Sequence, residues 1–390
     1  MSIVDNKNVE DRYVIQILRA IAICLVVFHH SVNALNLPEY MNVSVQIINK
    51  IHVNIFFVIS GFLFEKKKIL YIQNSAKKFV QKKFIQLIIP YFVFSELFSI
   101  FIYVGYKIPR IASLMSNFGT KKKFIETIID VMLFRNMYFE SLWFVYTLFI
   151  IFILNYILSK SKLDYVNGIT LICISIITVI IKANVGDGLW YILNKTITYF
   201  VWFYLGRFLQ KNGRRDWFVF FQNKTVKAMS LIILVTCIIR YSVVDLKKYM
   251  NFWERAYYIQ IENYLIALSS IVLIYSISLY LNKKCQNIYK LGDYSYNIYL
   301  LHNPWIVSTV SLVLKKVCNY WIVDLITVFV LSILIPCIVS SFMKKYFNTM
   351  YCVIFGKGVG LRELKWKRLK KEEIKKHQRS QRRNLTGASS

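Results

Sequence analysis

Arg19 and His30 stand at the two ends of a ten-residue gap in RAIAICLVVFHH, the first long apolar run of the chain. At about 100° per residue, eleven helical steps turn roughly 1100°, some 20° past three full turns. A helix therefore puts both side chains on one face, about 16 Å apart along its axis. A fixed guanidinium suits an anionic group such as a phosphate. An imidazole suits proton transfer or nucleophilic attack near neutral pH. His29 points about 100° away. Of the five His in the chain, His29, His30, His52 and His302 fall within apolar runs, where an ionisable group costs roughly 2.5–3.5 kcal/mol to insert. Taken singly, Arg19 reads as a snorkelling cation and His30 as an imidazole satisfied by a neighbouring helix; aligned on one face, the pair reads as a site.

Other residues share this chemistry. The run IHVNIFFVISGFLFEKKK holds His52, Asn54, Ser60 and Gly61, and its Ser-Gly pair serves equally for approach to a ligand or for plain helix packing. In KKFVQKKFIQLIIPY, Lys82 and Lys83 stand just ahead of Pro90, where lysines can hold phosphates or simply mark topology. Trp143 in SLWFVYTLF is either a belt residue at the outer interface or a cavity wall. In LGDYSYNIYLLHNPW, Ser295, Tyr299 and His302 fall at spacings of 4 and 3 on one face, with His302 at a depth similar to that of His30. The His residues are dispersed and no carboxylate stands at ligand spacing to them, so no metal site is expected.

These side chains need a scaffold that spans a bilayer. Of the 390 residues 56% are hydrophobic and only 18% charged, yet the net charge is +30, so the basic residues are concentrated between apolar runs. That excludes soluble multidomain and collagenous chains. The seven Cys are odd in number and scattered, which argues against a disulfide scaffold. Apolar runs recur at 12–34, 45–64, 84–106, 138–158, 165–182, 192–210, 227–245, 259–281, 294–314 and 320–343, predicting an all-α polytopic bundle of about ten membrane helices. The stretch 124–137 is ambiguous between a surface helix and part of a span. No cleavable signal peptide is expected, because the first run lacks a small-residue cleavage site.

Loops on the side of the N-terminus carry 17 Lys and Arg against 10 on the other side, which predicts both termini in the cytoplasm. The chain divides into a membrane domain, 1–343, and a basic cytoplasmic tail, 344–390, with 14 Lys and Arg against three Glu. Attraction to anionic membrane lipids accounts for that tail better than nucleic-acid binding does. No internal repeat of the inverted-transporter kind stands out. Ile, Lys, Asn and Phe enrichment points to an AT-rich bacterial genome.

RAIAICLVVFHH, NIFFVISGFLF, the Lys-rich stretch ending in IPY, SLWFVYTLF, YLGRFL and YSYNIYLLHNPW occur in the order found in the acyltransferase-3 family. Over residues 12–343 the chain resembles these integral membrane O-acyltransferases of cell-surface polysaccharides. The resemblance implies acyl transfer, most simply of acetyl, from cytoplasmic acyl-CoA to a hydroxyl of a cell-surface or lipid-linked saccharide, in a multi-pass protein of the bacterial cytoplasmic membrane. Acetyl-CoA would be a co-substrate, with no bound cofactor. Arg19 and His30 match the family's Arg-X10-His motif for donor handling and catalysis, and His302 its YLLH signature. Ser60, Gly61 and Trp143 match further motifs and, with Arg19, Lys82 and Lys83, would meet the donor. The family usually has arginines where this chain has Lys82, Lys83 and Gln86. Whether His30 acts as general base or acyl carrier stays open. So do two rival readings, a transporter that uses the buried Arg and His as a pathway and an inactive scaffold.

Overall fold

Long apolar stretches without internal charge fold into helices because a bilayer leaves backbone polar groups no partner outside the segment. The protein is an all-α polytopic membrane bundle, with no strand among the described residues. The computed structural model describes residues 3–357, apart from 36, 39, 119–122, 135–139, 162–163, 181–188, 212–213, 245, 247–248 and 318–319. Among the described residues six helical stretches are long and apolar enough to cross a membrane: Arg12–Ala34, Val43–Lys66, Ala76–Lys107, Lys224–Val243, Tyr257–Lys284 and Trp321–Tyr346.

The first of these belongs to α1 (Ile3–Ala34), and the second is divided between α2 (Tyr40–Asn49) and α3 (His52–Lys66). The third ends in α4 (Ile89–Lys107). A shorter apolar helix, α5 (Trp143–Ser159), comes next, followed by α6 (Asp164–Ile180) and α7 (Leu189–Lys211). Then come α8 (Lys224–Val243), α9 (Phe252–Lys284), α10 (Tyr289–Leu301), α11 (Val307–Val317), α12 (Trp321–Tyr346) and α13 (Asn348–Ile354). The ambiguous 124–137 stretch is helical over Phe124–Met132.

Of the expected straight runs, 45–64 is broken between α2 and α3, and two more are interrupted at prolines. Pro90 has no N–H for the Gln86 carbonyl; the chain passes through a π-helical turn at Phe84–Ile88, and the Tyr296 hydroxyl donates to that carbonyl at 3.0 Å. Pro304 disfavours a helical conformation for the residue before it. Asn303 is accordingly extended, at φ −132° and ψ 133°, and the 294–314 run splits into α10 and α11.

The most extensive helix pair is α3 with α7. A Cβ on Gly61 would overlap the Phe203 carbonyl oxygen, and one on Gly206 would overlap that of Val58, so backbone packs on backbone. At one end of this crossing Arg207, with 4% of its side chain exposed, donates to Glu65 Oε2 (2.8 Å), Asn155 Oδ1 (2.9 Å) and Asp164 Oδ2 (2.8 Å). Lys68 adds a 2.6 Å contact to the same Asp164 oxygen. Two cations and two carboxylates thus tie α3, α5, α6 and α7 together with no net charge. The boundary drawn at 343 falls inside α12. Beyond it, α13 and Phe355 pack into the bundle, Phe355 being almost fully buried. The basic residues after Lys357 lie outside the described residues.

Removing one member of a buried ion cluster leaves the others uncompensated. Arg207→Ala would leave Glu65 and Asp164 with Lys68 alone and is expected to cost about 3 kcal/mol, seen as a lower thermal midpoint of the detergent-purified protein. An unchanged midpoint would mean that the cluster contributes little to stability.

Candidate active site

Between α1, α3, α5 and α10 lies a cavity of about 390 Å³. Helix α1 contributes both ends of its chemistry, Arg19 near one end and His29 and His30 eleven or so residues on, as the helical spacing requires. Helix α3 presents His52, Phe56 and Ser60, a stripe at intervals of four that lies about 100° round the helix from the Gly61 contact with α7. Helix α10 contributes Asp293, Ser295, Tyr296 and Tyr299.

The four apolar-run histidines come together. The ring centres of His30 and His302 are 5.1 Å apart, as are those of His29 and His30, and of His29 and His52. Sequence spacing alone linked His30 only with Arg19; the α1–α3 and α1–α10 packing completes the row. Backbone carbonyls fix two of the tautomers, since a carbonyl can only accept. His302 Nδ1 donates to the carbonyls of Tyr299 (2.8 Å) and Ile298 (3.0 Å), and His52 Nδ1 to that of Ile48 (2.6 Å). Each then carries its lone pair on Nε2. In His302, which is 0% exposed, that atom is buried with no hydrogen-bond partner among the described residues. His302 stands behind the cavity wall, in contact with His30.

At the other end, Arg19 is half-buried and donates through Nη1 to Gln16 Oε1 at 3.3 Å, while Gln16 Nε2 donates to Asp293 Oδ1 at 2.6 Å. Among the described lining residues Asp293 is the one carboxylate, and Arg19 and Lys357 are the cations. Asp293 shares a helix face with Tyr296, a spacing legible in LGDYSYN. Lys357 lay within the segment read as tail, and its basic neighbours gave no signal that would single it out.

The remaining candidates divide. Ser60 lines the cavity, whereas Gly61 faces α7 and serves the helix crossing. Trp143 forms part of the cavity wall, its ring 4.9 Å from that of Tyr199, with Lys195 Nζ 4.7 Å from its centre. Lys82 is exposed and Lys83 is 6% exposed; neither lines the cavity. Lys83 instead directs its ammonium onto Phe152, 3.5 Å from the ring centre, beside Tyr71 and Phe79. The residues of this stretch that do reach the cavity are Gln86 and Leu87.

The fixed cation, the polar lining and the row of imidazoles suit an anionic ligand whose reactive end lies some distance from its charge. A family model described as an acyltransferase domain matches residues 12–341. No curated protein and no solved structure matches.

In a cysteine-free background, Ser60→Cys is expected to react with a small charged methanethiosulfonate reagent. Ser95→Cys, at a fully buried position off the cavity, is expected to stay unmodified. Failure of Ser60→Cys to react would mean that the cavity is closed to polar solutes.

Proposed function

Since the chain belongs to the acyltransferase-3 family and is a membrane acyltransferase, we propose that it moves an acyl group, acetyl in the simplest case, from acyl-CoA to a hydroxyl of a cell-surface or lipid-linked saccharide. The observation that carries this reading is a single cavity with a fixed cation at one end and clustered imidazoles at the other. The two ends are separated by about 16 Å of helix rise. Arg19 meets the anionic nucleotide end of the donor, and the pantetheine arm runs along α1 between Ser60 and Ser295 toward His30. Trp143 packs against the bound chain.

His30 removes the proton of the acceptor hydroxyl as its oxygen attacks the thioester carbonyl carbon. The carbon–sulfur bond then breaks, and His30 returns the proton to the departing CoA thiolate. If His30 instead takes the acyl group first, the products are the same. His302, with an open Nε2 beside His30, handles the proton or steadies the acceptor. The apolar bundle keeps water from the thioester. Because acyl-CoA is made in the cytoplasm, the Arg19 end faces the cytoplasm. Both termini lie there too, in a bacterial cytoplasmic membrane, with the basic residues after α12 near anionic lipid headgroups.

The test is thiol release from acetyl-CoA by the purified protein, with and without cell-surface glycan. Wild type is expected to release CoA in a glycan-dependent way, and His30→Ala to lower the rate by about 10²–10⁴. Arg19→Ala should act mainly by raising the KM for acyl-CoA. Absence of release with every acyl-CoA and glycan tried would replace this reading with a transporter that uses the same cavity, or with a scaffold.

A further inference from the structure

The Arg19 end of the cavity is completed by a segment beyond residues 12–341, the part of the chain matched to the family. Helix α13 follows α12 and is held to the bundle by Asn297 Nδ2, which donates to the Tyr351 hydroxyl at 3.0 Å. Phe355, 1% exposed, lies with its ring centre 5.4 Å from that of Phe94 and 5.0 Å from that of Tyr351. The chain then turns at Gly356, whose φ of +61° is in the left-handed region that side-chain-bearing residues rarely adopt. A Cβ there would also come within 2.6 Å of the Gln86 carbonyl oxygen. This anchored turn brings Lys357 to the cavity beside Arg19, Gln86 and Asp293.

Among the described residues the charges at this end do not balance. Arg19 and Lys357 face one carboxylate, Asp293, which already accepts a hydrogen bond from Gln16. Although Lys357 as a residue is exposed, the groups crowded around it act on its ammonium. Loss of hydrating water first, and repulsion by Arg19 second, push its pKa below the ordinary lysine value. An anion placed between the two cations would relieve that repulsion, and a flexible ammonium beside a guanidinium suits adjoining phosphates.

We infer that Arg19 and Lys357 form a two-pronged clamp for the diphosphate of a nucleotide-linked donor, with the second prong supplied by the α13 segment. The clamp rests on the acyl-CoA reading for the identity of the nucleotide, but not for the site itself. It takes the part that the sequence assigned to Lys82 and Lys83, which lie off the cavity.

Titration calorimetry on the full chain in detergent, with CoA and separately with inorganic pyrophosphate, tests it. Lys357→Gln should weaken CoA binding at least about tenfold, the size of one charge-assisted contact. Lys357→Arg should stay within about threefold of wild type. Gly356→Val, which keeps the lysine but strains the turn that aims it, should resemble Lys357→Gln. Lys224→Gln, which removes an exposed charge at the start of α8, should bind as wild type does. Wild-type affinity in Lys357→Gln, or equal weakening in Lys224→Gln, would overturn the clamp and leave the acyl-CoA reading standing. If wild type binds no CoA, that reading fails and pyrophosphate decides. Pyrophosphate binding lost in Lys357→Gln would support a diphosphate clamp for another donor, and no binding of either probe would overturn it.

Discussion

The backbone contact between α3 and α7 is the constraint from which the cavity follows. Apolar side chains gain little by meeting one another inside a bilayer, where lipid tails are as apolar as they are. Helices must therefore be held by close packing and by polar groups that find partners only in one arrangement. Gly61 and Gly206 provide the first, letting each helix press on the other's carbonyls. Arg207 provides the second, since its hydrogen bonds to Glu65, Asn155 and Asp164 can all form only when four helices share one register. With one face of α3 committed to α7 through Gly61, the stripe of His52, Phe56 and Ser60 lies about 100° round the helix, and that direction is the cavity.

A similar contact fixes the opposite wall. A Cβ on Gly292 would overlap the Gln16 carbonyl oxygen of α1, so α10 lies directly against α1. This sets Asp293 beside Gln16, one turn from Arg19, and carries Tyr296, Tyr299 and His302 along α1 toward His30. The break at Asn303 comes one residue after His302. The imidazole thus ends a helix, with its Nδ1 on the last carbonyls of α10 and its other nitrogen turned elsewhere. Tyr299 is held by its hydroxyl on the Ser141 carbonyl, and Ser141 in turn donates to the Asn303 carbonyl at 3.1 Å, so the break and the cavity wall brace each other.

How much of this was legible in the sequence depended on whether a residue's role was set by its own helix or by its neighbours. The alignment of Arg19 with His30 needs only helical periodicity, and it holds because α1 is unbroken between them. The apolar runs likewise foretold an all-α bundle, and the prolines explain where two of its runs are interrupted. The row of four histidines was visible as an excess of His in apolar runs and as the matching depth of His30 and His302, but not as contacts, because its members come from three separate parts of the chain. Lys83 shows the limit most directly: a lysine ahead of an apolar helix gives no hint whether its ammonium will meet a ligand or, as here, the face of Phe152. Gly61 was open between ligand approach and packing for the same reason, and only the position of Phe203 decides for packing. Lys357 was hidden by composition, one cation in a strongly basic segment, until the turn at Gly356 set it apart.

The division of polar groups along α1 bears on why the reactive end is made of imidazoles. A carboxylate or ammonium buried there would need a partner of opposite charge, as Arg207 and Arg240 have in Glu65, Asp164 and Glu262. Such a partner would compete with a substrate for the charged group. A neutral imidazole needs only one carbonyl to satisfy its N–H and keeps a lone pair available on the other side. His52 and His302 are held in this way, flanking His29 and His30. The site thus keeps acceptor nitrogens in an apolar bundle without a counter-ion, while net charge is confined to the end where Arg19, Lys357 and Asp293 meet. For the proposed transfer this separation matters, because the donor's charge is taken up at one end and its uncharged thioester alone has to reach the other.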